Sequence, residues 1–170
     1  MTKLAVYTKL PRRAFIDVIG NDRYNFLQGL ITQDIALLEK QSLIYSCLLT
    51  PNGKFLFDFF IHADGDTLKI ECEGGERGQA LFNRLSMFRL RSDVILTVHD
   101  DVAVYQIFNG VYESKNATPD PRGTDCGYKS YSKPNDLNPV EFDIWDRYRI
   151  AHEIPDGSHD LIPETSFLHE

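Results

Sequence analysis

The chain has 170 residues, of which 42% are hydrophobic and eleven are phenylalanine, enough apolar volume for one large domain or for part of a larger protein. Its formal net charge of -7 argues against a broad non-specific nucleic-acid surface. Three widely spaced cysteines, Cys47, Cys72 and Cys126, match neither a disulfide framework nor a zinc site and favour a reducing compartment. No apolar run approaches the roughly 18 residues of a membrane helix. The first fifteen residues lack the apolar region of a secretory signal.

The first forty residues predict short strands followed by short helices. Residues 4–8 alternate weakly between apolar and polar, and residues 14–19 form a clearer strand pattern. Capping residues and an apolar stripe then predict a helix over residues 22–28. Gly29 and the polar residues after it interrupt the stripe, so we expect a second short helix over 32–38 and not one long helix.

Residues 42–62 predict the central hairpin of the chain. Two apolar runs, 43–49 and 55–61, flank the turn sequence Thr50-Pro51-Asn52-Gly53, in which proline presets φ and Asn-Gly tolerates positive φ. The second run is apolar at successive positions, which indicates that both faces of that strand are covered. Residues 67–72 predict a third strand, giving a three-stranded antiparallel meander.

Asp58 interrupts the second apolar run between two phenylalanines. A two- or four-residue loop places it on one face with Tyr45, Cys47, Leu56 and Phe60, whereas a three-residue loop places it opposite that set. A carboxylate among apolar side chains must find donors, or its pKa must rise. Two interpretations follow: a half-buried structural acid satisfied by a backbone amide or an arginine, or an acid that meets a ligand.

The region after the meander predicts a helix over 76–89 with an apolar stripe on one side. Its basic residues either form a solvated face or meet an anionic part of a ligand; they are Arg77, Arg84, Arg89 and Arg91. Residues 92–98 and 102–108 predict two strands around a turn at Asp100-Asp101.

The last third changes in composition. Residues 109–139 are rich in glycine, proline, serine and asparagine, with a short strand pattern only at 128–131. Residues 140–152 then predict a helix whose aromatic face includes Trp145 and Tyr148. Such a pair fits either a core position or a platform on which a flat ligand stacks.

Five motifs occur in an order typical of one protein family. They are Phe26-Leu27-Gln28-Gly29 with Thr32 and Asp34, the Pro51-Asn52-Gly53-Lys54 turn with Asp58, Leu85 to Val94, Asp120-Pro121-Arg122 with Gly127-Tyr128-Lys129, and Arg149-Ile150-Ala151 with Ile154-Pro155-Asp156 and Ile162-Pro163-Glu164. With these motifs the chain resembles the YgfZ-type folate-binding proteins, which are related to the aminomethyltransferase (T-protein) of the glycine cleavage system. The family pattern has a glycine where this chain has Glu153.

The resemblance implies an α+β fold in which helices flank an antiparallel sheet. It also implies three regions: a folate-binding-type domain over 1–108, an irregular linker or reduced ferredoxin-like companion over 109–139, and a helix and tail over 140–170 that belong to the folate-binding region. The family's K-G-C-Y-x-G-Q-E segment and its C-terminal barrel lie further along than Glu164, and we expect this chain to be truncated before them.

The resemblance also implies a role. It predicts a protein that binds tetrahydrofolate or a derivative and supports iron–sulfur cluster assembly or repair, with an indirect effect on tRNA modification. The implied partners are folate and iron–sulfur proteins or assembly factors, with no direct nucleic-acid or membrane binding and no metal site. The implied location is the bacterial cytoplasm or the mitochondrial matrix. The alternatives are an aminomethyltransferase-like enzyme that uses Asp58, and an inactive remnant.

Four residues match positions that the family uses around its ligand. Asp58 is the candidate acid, catalytic in the transferase alternative and folate-binding in the other. Tyr45 and Thr32 are candidate pocket walls, and Trp145 matches a folate-stacking tryptophan. A pterin ring is flat and carries N–H donors, so an aromatic platform and a carboxylate both suit it.

Overall fold

A computed structural model describes residues 4–168. The predicted ranges 1–108 and 140–170 include Met1–Lys3 and His169–Glu170, which lie outside the described residues. In chain order the elements are β1 (Val6–Lys9), β2 (Arg13–Ile19), α1 (Arg23–Gln28), β3 (Ile44–Leu49), β4 (Phe55–Asp64), β5 (Thr67–Glu73), α2 (Glu76–Phe88), β6 (Ile95–Val102), β7 (Tyr105–Phe108), β8 (Ala117–Pro119), β9 (Tyr128–Ser130), β10 (Asn138–Pro139), α3 (Phe142–Ala151) and α4 (Gly157–Asp160). The predicted α+β class with largely antiparallel sheets is confirmed.

The chain divides into two compact units, each assembled from two separated segments. The smaller unit comprises the segment that ends at Pro11 and the segment Val102–Pro155. The larger unit comprises Arg12–Asp101 and the segment that starts at Asp156. The predicted ranges 1–108, 109–139 and 140–170 are consecutive and stay a prediction. Among the helices described for residues 4–168, none has the length and apolar character needed to cross a bilayer.

The larger unit contains a five-stranded sheet in the order β3-β4-β5-β2-β6. Strands β3, β4 and β5 are antiparallel neighbours, which confirms the predicted meander. One face of the sheet is apolar because alternate residues of β2 and β5, such as Ile16 and Ile70, are fully buried against Leu81 and Leu85 of α2. The opposite face carries the charged alternate residues of these strands, and it includes Asp58.

Two local predictions need correction. The expected helix over 32–38 is a 3₁₀ helix at Ile35–Glu39, because Thr32 is bound to β3 and Asp34 caps the next turn by accepting from the Ala36 N–H. The expected turn at Asp100-Asp101 is wrong, since β6 continues to Val102. Asp100 instead accepts a hydrogen bond from the Gly75 N–H at 3.0 Å, and Asp101 bends the strand locally with φ of 56°.

The smaller unit contains a second five-stranded sheet in the order β10-β1-β7-β9-β8. Residues 109–139, predicted as an irregular linker or a reduced companion, contribute three of its strands. Helix α3 ends at Ala151, and Glu153 follows with φ of 55° in the left-handed region. The family's glycine at this position is explained by that backbone conformation, which a glycine adopts without strain.

Candidate functional site

Asp58 lies on the charged face of the larger unit's sheet, opposite Cys47 in the β3–β4 ladder. Tyr45 pairs with Phe60 two residues further along, so Asp58 shares a face with Tyr45 and Phe60. This is the first of the two registers considered from the sequence. A register shift between Leu48 and Leu49 allows the connection 50–54 to close the hairpin in that register.

The two carboxylate oxygens of Asp58 have different surroundings. Oδ2 accepts hydrogen bonds from the Tyr45 hydroxyl at 3.0 Å and from the Gly157 N–H at 3.1 Å. Oδ1 lies 3.7 Å from Nη2 of Arg77, an ion pair too long for a hydrogen bond. Within residues 4–168 no group donates a hydrogen bond to Oδ1, and the side chain is 16% exposed. Of the two carboxylate oxygens of Asp58, Oδ1 is therefore the one left to accept a hydrogen bond from a ligand.

Gly157 reaches Asp58 because α4 lies against the start of β4. A Cβ atom at this position would collide with the Asp58 carboxylate and would lie 2.6 Å from the Phe55 ring, so only glycine allows the approach. Asp156 caps the short helix by accepting from Ser158. Burial alone would raise the pKa of Asp156, but hydrogen bonds from Ser158 and the charge of His159 outweigh it and lower that pKa.

A buried ion pair lies on the same face of the sheet. Glu71 of β5 is 0% exposed, and its Oε1 accepts from Nε of Arg13 at 2.8 Å and lies 2.7 Å from Nη2. Burial, the largest single influence, lowers the pKa of Arg13, but the Glu71 charge, the hydrogen bond to Glu71 and the charges of Cys72 and Asp58 together outweigh it and raise the pKa. Nearby, Glu73 lies 3.5 Å from Nε of Arg77. Acids and arginines therefore alternate across this face beside Asp58.

The structure brings two of the four predicted site residues into contact, Asp58 and Tyr45. The Thr32 hydroxyl is engaged with β3, because it accepts from the Cys47 N–H at 3.0 Å. Trp145 belongs to the smaller unit, where it is 3% exposed and packs edge-on against Phe108 with ring centroids 5.1 Å apart. Its role as a stacking platform stays a prediction.

Sequence reasoning missed three residues that fix Asp58 or its surroundings. Arg77 was visible only as one of four basic residues, and Gly157 only as one residue of the tail in the range 140–170. The sequence does contain a pattern that predicts the position of Glu71. Glu71 lies between Ile70 and Cys72 in a strand, which puts its carboxylate on the face that Asp58 shares.

All three cysteines are buried and free. Burial, with a contribution from the Asp58 charge, raises the pKa of Cys47 to about 12. Burial raises the pKa of Cys72 to about 12 and that of Cys126 to about 11. A thiol with such a pKa carries almost no thiolate at neutral pH, and the thiolate is the nucleophile. None of the cysteines therefore has the properties of a reactive thiol.

We expect the native protein to react slowly with Ellman's reagent at pH 8 and to release three thiols at once after denaturation.

The raised pKa values also affect stability. An unfolded thiol titrates near its ordinary value of 9.0, so the unfolded state loses protons first and the free energy of unfolding falls as pH rises from about 9 towards 12. Rapid labelling of Cys47 or Cys72 in the native chain would contradict this assignment.

Comparison with solved structures identifies the class of fold. The chain superposes on the glycine cleavage system aminomethyltransferase T from Bartonella henselae with a TM-score of 0.53 and 19% sequence identity, over 62% of this chain and 29% of that chain. The matched part therefore has a T-protein-like fold. No family model matches the chain.

The most informative sequence relatives are named iron–sulfur cluster assembly factors. The chain is 26% identical over 187 residues to the mitochondrial assembly factor IBA57 homolog of Mycosarcoma maydis, covering 94% of this chain and 46% of that protein. It is 24% identical over 189 residues to human mitochondrial IBA57, covering 91% of this chain and 52% of that protein. The chain spans about half the length of the curated relatives it matches.

Proposed function

We propose that this chain is a T-protein-like module of the YgfZ type that serves iron–sulfur cluster assembly or repair. The observation that carries the proposal is the similarity to assembly factors from fungi and human over more than nine tenths of the chain. The cluster is cargo in this role, so the protein needs no resident metal. Partners are then iron–sulfur proteins or assembly factors, in a bacterial cytoplasm or a mitochondrial matrix.

We further propose that Asp58 binds a reduced folate. Its Oδ1 has lone pairs that no donor of the described residues uses, and a pterin offers amino and ring N–H donors that fit a carboxylate. Tyr45 and Gly157 hold the other oxygen, so the carboxylate is oriented before a ligand arrives. Tyr45 and Thr32 remain the candidate walls of the pocket. A bound tetrahydrofolate would supply the chemistry of a one-carbon carrier.

The proposed function is tested in cells depleted of their own assembly factor of this type. Expression of the protein should restore the activity of iron–sulfur enzymes, and the Asp58→Asn variant should restore much less at equal abundance. Arg147→Gln is the matched control, because Arg147 is exposed and its one ion pair within residues 4–168 is with the exposed Asp143.

Absence of any rescue by a protein that is folded and abundant would contradict the assembly role. Equal rescue by Asp58→Asn would contradict the part played by its carboxylate. The alternative, an aminomethyltransferase-like enzyme that uses Asp58, predicts instead one-carbon transfer to tetrahydrofolate without restored iron–sulfur enzymes.

A further inference from the structure

A cleft of about 870 Å³ opens in the larger unit at the start of α2. Three arginines line it: Arg12 before β2, and Arg77 and Arg84 on α2. The backbone of Gly74 and Gly75 forms part of the wall where the helix begins. Positive side chains from two separate segments therefore converge on one cavity of a chain whose overall charge is negative.

The three arginines differ in how well the protein satisfies them. Arg77 is engaged, since it donates to the Leu56 carbonyl at 3.2 Å and pairs with Asp58 and Glu73. Arg12 and Arg84 have no acidic partner among residues 4–168. The Nε atom of Arg84 is also buried without a hydrogen-bond acceptor in that part of the chain. The guanidinium of Arg84 otherwise lies over the Phe88 ring of the same helix, 5.6 Å from its centroid.

The backbone at the cleft adds to the positive potential. Helix α2 has 13 residues and begins after Gly75, which has no side chain to cap the first turn and whose own N–H already donates to the Asp100 carboxylate. The unpaired N–H groups of a first helical turn and the helix dipole attract negative charge. Gly74 allows this geometry, because a Cβ there would collide with the Asp100 carboxylate.

We propose that this cleft binds the anionic group of a small molecule, a carboxylate or a phosphate, through Arg84, Arg12 and the first turn of α2. Guanidinium groups bind both kinds of oxyanion with paired hydrogen bonds. Three acids line the same cleft as well. Glu73 pairs with Arg77, and the exposed Glu76 and Glu164 oppose the anion. The inference goes beyond the proposed function and does not require that a folate binds at Asp58.

The test is a titration of the ¹⁵N-labelled protein followed by NMR, in separate arms with inorganic phosphate and with glutarate. We expect saturable shifts of the amide signals of residues 74–78 in at least one arm, weaker at high ionic strength. The arm with the tighter binding identifies the anion as phosphate or carboxylate. Because neither arm contains folate, the outcome does not depend on the reduced-folate proposal.

Three variants make the test specific to the cleft. Arg84→Gln should weaken binding by about tenfold, the effect of losing one charge-assisted hydrogen-bond partner. Glu164→Gln should strengthen binding, because it removes an opposing charge. Arg89→Gln is the matched control: Arg89 is an exposed arginine at the end of the same helix that does not line the cleft, so binding should be unchanged.

Two results would overturn the proposal. One is the absence of saturable shifts at residues 74–78 with either anion, while the spectrum shows a folded protein. The other is an equal loss of binding in Arg84→Gln and Arg89→Gln, which would indicate a diffuse effect of net charge and no site in the cleft.

Discussion

Replacing Arg13 by methionine should lower the free energy of unfolding by about 3–5 kcal/mol, the usual cost of breaking a buried ion pair from one side. Glu71 is 0% exposed and receives two close contacts from the Arg13 guanidinium, at 2.7 and 2.8 Å. Methionine fills a similar volume but donates no hydrogen bond, so the Glu71 carboxylate loses this counter-ion while it stays out of water. Urea denaturation of both proteins measures the difference.

An exposed ion pair provides the matched control for this prediction. Arg147 and Asp143 lie 3.1 Å apart with side chains 77% and 56% exposed, so Arg147→Met should cost at most about 1 kcal/mol. Replacing Arg13 and Glu71 together by apolar residues should recover much of the loss, because neither charge of this pair is then left buried without its partner. A cost below about 1 kcal/mol for Arg13→Met would show that the pair does not stabilise the sheet.

Asp58→Asn should weaken the binding of tetrahydrofolate by about 10- to 100-fold, the worth of a hydrogen bond to a charged group. The asparagine oxygen takes the place of Oδ2, because the Tyr45 hydroxyl and the Gly157 N–H both donate there. The amide NH₂ then occupies the place of Oδ1 and presents a donor to the N–H groups of the pterin. Calorimetric titration of the two proteins measures the ratio of dissociation constants.

Two further variants separate the role of the Asp58 carboxylate from that of its donor Tyr45 and from a change in net charge. Tyr45→Phe removes one donor to Oδ2 but keeps the Asp58 carboxylate, so binding should fall less than in Asp58→Asn. Asp143→Asn removes an exposed carboxylate from the smaller unit and should leave binding unchanged. An Asp58→Asn protein that binds as tightly as the original would exclude Asp58 from the pocket.

Local sequence patterns predicted the elements that carry Asp58. The apolar runs on either side of Pro51-Asn52-Gly53 gave the hairpin, and alternation over β5 gave the third strand. The residues of the motif around Gln28 also stabilise backbone that is close to them in the sequence. The Gln28 side chain accepts from the Ile35 N–H at 2.8 Å, and Thr32 accepts from the Cys47 N–H, so these residues hold the backbone that leads into β3.

The partners of Asp58 could not be predicted in the same way. Gly157 is 99 residues distant in sequence, and its hydrogen bond depends on how the final segment returns to β4. Arg77 and Arg84 share a helix face that is polar whether its arginines are solvated or meet an anionic group. Periodicity therefore could not distinguish a solvated arginine from one that pairs with Asp58. These contacts are set by tertiary packing, which the spacing of residues in one segment does not encode.

The most direct measurement is a calorimetric titration of the unmodified chain with tetrahydrofolate, with the fluorescence of its single tryptophan, Trp145, recorded in parallel. We expect saturable binding of one folate per chain that is weakened in Asp58→Asn and preserved in Asp143→Asn. Absence of binding heat at saturating ligand, from a chain shown to be folded by its NMR spectrum, would contradict the assignment of Asp58 to a folate site.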